Sequence, residues 1–344
     1  MELKINDLSL NYFGHSDCLH SISHTFVKGI NVVFGEVGSG KTSLLKAIAG
    51  IEKPYEGRVE LDGQPIGLSK ESVVSFVFDD LGFFERRSFG YNLEYPLKLR
   101  KIPKSERREI VEGWLEKAGV STNYLAETAF RVPTEERVKG ALIRGFSRNS
   151  KIILLDNPLS GLNPSDRRKV FFELLKIAFE NRDSIIIYAT DSAEEARMLD
   201  CPTLVLSYGY VAGQGRIGEL VENPEFITPS ELLIPFFNVL DVVLEENGFD
   251  AFDSRITIDF KDTMAESFVG KKAILGFKPD AIVFGETKAE PLFEVNTDNG
   301  KVYLLEANGH RFYSSVCLDR IGLDENKIYI FDDVSGRIIY KKQS

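Results

Sequence analysis

Residues 35–42 read Gly35-Glu36-Val37-Gly38-Ser39-Gly40-Lys41-Thr42; the apolar run Ile30, Asn31, Val32, Val33, Phe34 precedes them, and Ser43 opens a helix-like stretch to residue 49. Strand, glycine-rich turn and helix in that order are the setting in which such an octet cradles phosphate. Gly35, Gly38 and Gly40 let successive backbone N–H groups turn inward around a triphosphate, where they meet the positive end of the following helix dipole. Lys41 is then placed to reach the β- and γ-phosphates, and Thr42 to offer its hydroxyl to Mg²⁺. A nucleotide site formed by residues 35–43 is the first expectation.

Working outward, the apolar run Ile152, Ile153, Leu154, Leu155 ends in Asp156, then Asn157 and Pro158. A buried strand that delivers a carboxylate to the mouth of a phosphate loop supplies what Mg²⁺ ligation needs, with Thr42 as the other protein oxygen. The interval between Lys41 and Asp156 leaves room for an inserted helical subdomain, and residues 105–148 are rich in helical pattern. In residues 103–119, Ser105 is a candidate cap, Ile110, Val111, Trp114 and Leu115 recur at helical spacing, and Gly119 ends the pattern. Trp114 reads as core.

The chain has 344 residues, enough for two domains, and a net charge of −10 with both signs dispersed. No basic block favours nucleic acid, so no nucleic-acid partner is expected. Cys18, Cys201 and Cys317 and the four histidines show no metal-ligand spacing. Residues 1–7 have no apolar signal region, and the most apolar stretch, residues 232–244, is short and contains Pro235 and Asp241. A cytoplasmic chain follows.

Up to about residue 228, short apolar runs alternate with helix-like patterns, the signature of an α/β layer fold. Beyond residue 230 the texture changes to strand-like runs at residues 272–277, 301–305, 327–331 and 337–340. Asp298-Asn299-Gly300 and Val334-Ser335-Gly336 act as turns between them. The expected architecture is an α/β P-loop NTPase domain over residues 1–229, with a helical subdomain at about 88–148, then a small all-β, barrel-like domain over residues 230–344.

With these residues in place, the chain resembles the ATP-binding subunits of ABC transporters. The phosphate loop and residues 152–158 look like the two Walker motifs, and Leu159-Ser160-Gly161-Leu162-Asn163 occupies the D-loop position. Val77-Phe78-Asp79-Asp80 lies where the family has its Q-loop, and Ile186-Ile187-Tyr188-Ala189-Thr190-Asp191 occupies the strand and switch position. Tyr12 or Phe13 sits where the family stacks an aromatic on adenine, or is a strand aromatic in the core. Leu275-Gly276-Phe277-Lys278-Pro279-Asp280 is similar to an element of the regulatory β-domain (TOBE/MOP-like) of importers for sugars, molybdate and related solutes. The resemblance implies ATP and Mg²⁺ as cofactors, with Asp79 as a further Mg²⁺ ligand. It also implies contact with a membrane permease through about residues 79–93 and the helical subdomain, dimerisation with a like subunit, and a place at the inner face of the plasma membrane.

The departures from the family pattern fall on catalytic positions. After the Walker aspartate the family carries a glutamate base; Asn157 stands here and cannot accept a proton from water. Asp191 replaces the switch histidine, Asp79 the Q-loop glutamine and Asn163 the D-loop aspartate. Counting back from Ile143-Arg144-Gly145-Phe146, the signature falls on Val132-Pro133-Thr134-Glu135-Glu136. Pro133 there has no N–H to give, and two carboxylates stand where a partner's triphosphate would dock. Two readings follow: an importer subunit with weak hydrolysis, or an inactive ATP-binding regulator or heterodimer partner. Asn157, Asp191 and Asp79 are the positions on which catalysis turns.

Overall fold

The structure is a computed structural model, which describes residues 1–12, 17–66, 73–252, 254–297 and 300–342. The chain forms two compact units, Met1–Arg216 and Ile217–Ser344.

The first unit holds strands β1 (Glu2–Asn11), β2 (Asp17–Val27), β3 (Gly29–Phe34), β4 (Glu56–Leu61), β5 (Gln64–Pro65), β6 (Val74–Val77), β7 (Ile152–Asp156), β8 (Ile185–Thr190), β9 (Pro202–Ser207) and β10 (Tyr210–Arg216). Its α-helices are α1 (Lys41–Ile48), α2 (Phe89–Leu99), α3 (Lys104–Lys117), α4 (Thr134–Phe146), α5 (Pro164–Glu180) and α6 (Ala193–Leu199). A six-stranded sheet runs β10-β9-β3-β8-β7-β6, parallel except for β10, and a four-stranded antiparallel sheet runs β2-β1-β4-β5.

The middle strands are mostly apolar because both faces are covered. Along β7, Ile152 and Leu154 join the core containing Leu3, Ile5, Phe26, Leu44 and Leu45, while Ile153 and Leu155 join the core containing Val138, Leu142, Phe146 and Phe171. β8 divides the same way: Ile185, Ile187 and Ala189 face the first core, Ile186 and Tyr188 the second. The parallel register of β7, β8 and β3 brings Asp156 and Thr190 to the same strand ends as the phosphate loop after β3.

Helices α2, α3 and α4 occupy the expected helical insertion. Val111 and Leu115 of α3 are buried, and Ile110 and Trp114 pack against the same core, as their spacing implied. Ser105 is not the cap. Pro103 holds that position with no side-chain hydrogen bond, and Ser105 lies within the first turn, because proline's fixed φ already starts a helix.

The second unit begins with two short helices, α7 (Ile217–Glu222) and α8 (Ile227–Leu233), and is otherwise built from strands and 3-10 turns. The strands at Asn238–Val243, Lys272–Phe277, Ile328–Asp332 and Ile338–Lys341 form one antiparallel sheet. Smaller antiparallel pairings join residues 248–251 with 254–257, 282–288 with 320–323, and 290–297 with 300–307 and 310–314. Leu244, Phe249, Phe260, Phe277, Leu305, Ile321, Ile328 and Ile330 share one core.

The division at Arg216 precedes the expected boundary at residues 229/230, and the reason is local. Ile227 packs with Tyr329 and Phe331, its N–H donates to the Gly336 carbonyl, and the Ile338 N–H donates to Glu225. The segment 217–233 therefore belongs with the β unit. The Asp298-Asn299 part of one expected turn lies outside the described residues.

Candidate nucleotide site

Gly40 sits at φ +101° as the N-cap of α1, a backbone state that β-carbons disfavour, and a side chain there would press on Leu19 and the Cys18 carbonyl. Gly35 has an ordinary φ but no space, since a Cβ would lie 2.2 Å from the Leu206 carbonyl. The loop is thus wedged between β2 and the end of β9, with the Gly209 N–H donating to the Ser39 carbonyl at 3.1 Å. Ser39 is buried, while Glu36 and Val37 are exposed at the rim.

Lys41 is buried and donates from Nζ to the carbonyl oxygens of Gly35 and Glu36, both at 2.8 Å. Burial holds its pKa below the usual lysine value, opposed by the negative charges of Asp191, Asp156 and Glu36 in that order. Thr42 donates from Oγ1 to Asp156 Oδ1 at 3.1 Å. Asp156 is 2 % exposed, its Oδ2 has no partner among the described residues, and burial raises its pKa, with the Asp79 charge acting in the same direction. A buried carboxylate oxygen without a donor, beside a threonine hydroxyl on a phosphate loop, fits a hard divalent cation carried in with a polyphosphate. Thr42 and Asp156 are the residues that would hold it. Asp79 acts on Asp156 through its charge, and its Oδ1 accepts from the Asp80 N–H at 2.9 Å.

Asn157 takes φ +43° at the end of β7, with its N–H given to the Ala189 carbonyl at 2.9 Å and its buried Oδ1 unpartnered among the described residues. The Asn157 backbone is thereby fixed at the strand end next to Asp156. Asp191 is exposed and follows the last residue of β8. Tyr12 places its hydroxyl 3.2 Å from Ser43 Oγ, which ties the end of β1 to α1. Phe13, the other aromatic candidate, lies outside the described residues. Asn163 acts as the N-cap of α5, its Oδ1 accepting from the Asp166 N–H at 3.0 Å.

At the signature position the structure corrects one expectation. α4 starts at Thr134 after Pro133, but Glu135 does not stand free toward a docking ligand: it accepts from Lys139 at 2.9 Å and Lys169 at 2.8 Å. Lys139, nearly fully buried, also pairs with Glu173 at 3.1 Å. These lysines hold the Glu135 pKa below the usual carboxylate value, whereas burial raises that of Glu136.

Two groups were missed by sequence reasoning. Arg144 of α4 donates to the carbonyl oxygens of Leu81, at φ +63°, and Gly82, and its guanidinium lies over the Phe83 ring at 4.9 Å. Burial brings its pKa down to about 10. The other is Glu195, buried in α6, which accepts from Arg167, Tyr188 and Thr190. For Glu195 the available signal was a glutamate four residues past the switch residue, with its partner Arg167 four past the D-loop; Arg144 carried no such signal, and neither group has meaning until the fold brings its partners together.

A strand-loop-helix cradle on a doubly covered parallel sheet, with a helical insertion and a strand-end aspartate bonded to the loop's threonine, defines an ABC-type ATPase cassette. Residues 19–160 match the ABC transporter family model, and this segment is an ABC transporter domain. Among relatives, the trehalose/maltose import ATP-binding protein of Thermococcus litoralis is 25% identical over 90% of this chain and 91% of its own length. The alpha-glucoside transport ATP-binding protein of Rhizobium meliloti is 28% identical over 89% and 84%. Of solved structures, an ATP-binding cassette dimer in a post-hydrolysis state with ADP and Pi superposes with a TM-score of 0.56 at 21% identity, covering 62% of this chain and 98% of that one. A subunit of the cbiONQ transporter complex of Clostridium perfringens gives 0.55 at 22% identity, covering 64% and 95%. These similarities fix the cassette fold. Among the described residues no helix is long and apolar enough to cross a membrane.

Proposed function

We propose that this chain is the ATP-binding subunit of an ABC-type importer, which binds Mg·ATP at Gly35–Ser43, Thr42 and Asp156 and hydrolyses it slowly. The observation that carries the reading is the pairing of an intact cradle with Asn157 at the base position. The loop, Lys41 and the Thr42–Asp156 bond serve binding, while an amide with no proton affinity stands beside them. Asp79 contributes to the cation's field, and Tyr12 or Phe13 meets the adenine.

In this reading the permease docks on about residues 79–93 and the helical subdomain. A cavity of about 220 Å³ there is lined by residues including Phe76, Phe78, Phe84, Tyr95 and Arg144, and Phe84 is exposed at its edge. The subunit would sit at the inner membrane face as a homodimer or heterodimer, with residues 230–344, or the structural unit from residue 217, as a TOBE/MOP-like regulatory domain. The relatives named as sugar-import ATP-binding proteins support the importer class. The Glu135–Lys139–Lys169 network favours a second reading, an inactive regulator or heterodimer partner, because it occupies the helix end that would clamp a partner's nucleotide. Steady-state ATP turnover measured beside ATP affinity tests both: binding with slow turnover supports the first, binding with none the second, and no binding removes both.

A further inference from the structure

Asp191, the residue at the switch position, lies between two residues that both bond to Glu195, Thr190 to its buried carboxylate and Ser192 to its backbone N–H. On its N-terminal side, Thr190 donates from Oγ1 to Glu195 Oε2 at 2.6 Å. On its C-terminal side, the Ser192 N–H donates to that same Thr190 Oγ1 at 3.0 Å, and Ser192 Oγ accepts from the Glu195 N–H at 3.3 Å. Tyr188, one strand pleat below, donates to Glu195 Oε2 at 2.8 Å, and Arg167 of α5 donates from Nε to Oε1 at 2.6 Å. Glu195 is 5 % exposed, so these charge-assisted bonds are made in a dry setting where they hold geometry strongly.

We propose that Glu195 is the positioning residue of the switch: through Thr190, Ser192 and Arg167 it clamps the turn bearing Asp191 to the helix that follows the D-loop, and so fixes Asp191 against the phosphate loop. This rests on the reading of that loop as a nucleotide site. Thr190 pairs with Phe34 in the parallel register of β8 and β3, so Asp191 follows β8 where the phosphate loop follows β3, and its charge acts on both Lys41 and Arg167. A cavity of about 380 Å³ lined by Leu162, Phe171, Ser192, Glu195 and Met198 lies beside the clamp, so a released turn has somewhere to go. A clamped carboxylate in this place repels the third phosphate of Mg-free ATP more than it repels ADP, and a released one can swing away.

The test is the ratio of the Kd for ATP to the Kd for ADP in Mg-free buffer, read by competition with a fluorescent nucleotide. Asp191→Asn should lower the ratio about tenfold, the scale of one nearby charge in a partly screened site. Glu195→Gln should lower it in the same direction by about threefold, as for one loosened charge-assisted contact. Thr190→Val, which deletes a hydroxyl at nearly constant shape, should do the same if the Gln variant folds poorly. Arg167→Lys keeps the charge and a donor and should stay near wild type. A merely structural role would shift both affinities together and leave the ratio alone. If Asp191→Asn moves the ratio while Glu195→Gln and Thr190→Val do not, the clamp is overturned and the nucleotide reading stands. If wild-type protein binds neither nucleotide, the nucleotide reading falls and the clamp with it.

Discussion

On the proposed reading, residues 35–42 and residues 132–136 are the two halves from which an ABC cassette dimer builds each nucleotide site, and they differ in what their groups are free to do. Residues 35–42 form a strand-loop-helix turn with a glycine wedged against the Leu206 carbonyl and a lysine buried among loop carbonyls. Residues 132–136 keep the helix start but not the chemistry: Pro133 gives no N–H, and Glu135 is turned into an internal ion network with Lys139 and Lys169. If the proposed reading holds, the contrast means that binding and turnover separate on this chain. A cradle works by fixed backbone dipoles within its own fold, whereas hydrolysis needs a base, a γ-phosphate donor and a partner's clamp.

The sharpest way to break this comparison is at the intact half. Lys41→Ala should abolish detectable Mg·ATP binding, since the cradle then loses the Lys41 ammonium that would meet the phosphates. Wild-type protein should show a ligand-dependent rise in melting temperature and the variant none. Equal shifts in both, or none in either, would take nucleotide binding out of the account.

The altered half is probed through turnover. Loss of a positioned general base commonly costs on the order of 10²- to 10⁴-fold. Asn157→Glu combined with Asp191→His should therefore raise steady-state hydrolysis by at least about tenfold, with the Glu135 network capping the gain. A wild type that already turns over rapidly, and stops on Asp191→Ala, would show instead that Asp191 is the base.

A smaller effect should appear where the helical insertion meets the Q-loop position. Arg144 joins α4 to the carbonyls of Leu81 and Gly82, and only a planar fork can serve both at once. Arg144→Lys should destabilise the first unit by about 1–3 kcal/mol in urea unfolding. No change would mean that water replaces the lost bonds at no cost and that this hinge is not held by the guanidinium.

What could be read in the sequence was what the chain keeps local. The loop octet, the apolar run ending in Asp156, and the helical spacing of Val111 and Leu115 each lie within a few residues, and each appears where the pattern put it. Arg144 to residues 81–82 and Arg167 to Glu195 are long-range pairings that no spacing encodes. The units divide ahead of residue 229 because, within a stretch of α/β-like texture, Glu225 and Ile227 bond and pack with residues 329–338. Ser105 looked like a cap because its residue type suits one, while the preceding proline had already set the turn. Glu135 looked free because its two lysines lie one helical turn and one helix away.

The smallest expected effect pits stability against binding at one atom. Asp156 is buried, one of its oxygens has no donor among the described residues, and burial raises its pKa above the ordinary 3.8. A carboxyl whose folded pKa is raised is favoured protonated, so its contribution to stability is present at low pH and is lost as pH rises from 3.8 through the folded value. At neutral pH the ionised group is therefore a burden on the free protein. Asp156→Asn should raise its stability by about 1 kcal/mol, seen as a modest rise in melting temperature. The gain should shrink as the pH is lowered through the folded pKa, where the wild-type carboxyl becomes neutral too. The same variant should lose most of the extra thermal shift that Mg²⁺ adds to ATP, because the cation's carboxylate is gone. A free-protein stability that falls on substitution would show that Asp156 is held by donors within the fold, and a Mg²⁺-dependent shift that survives would move the cation to Asp79 or Asp191.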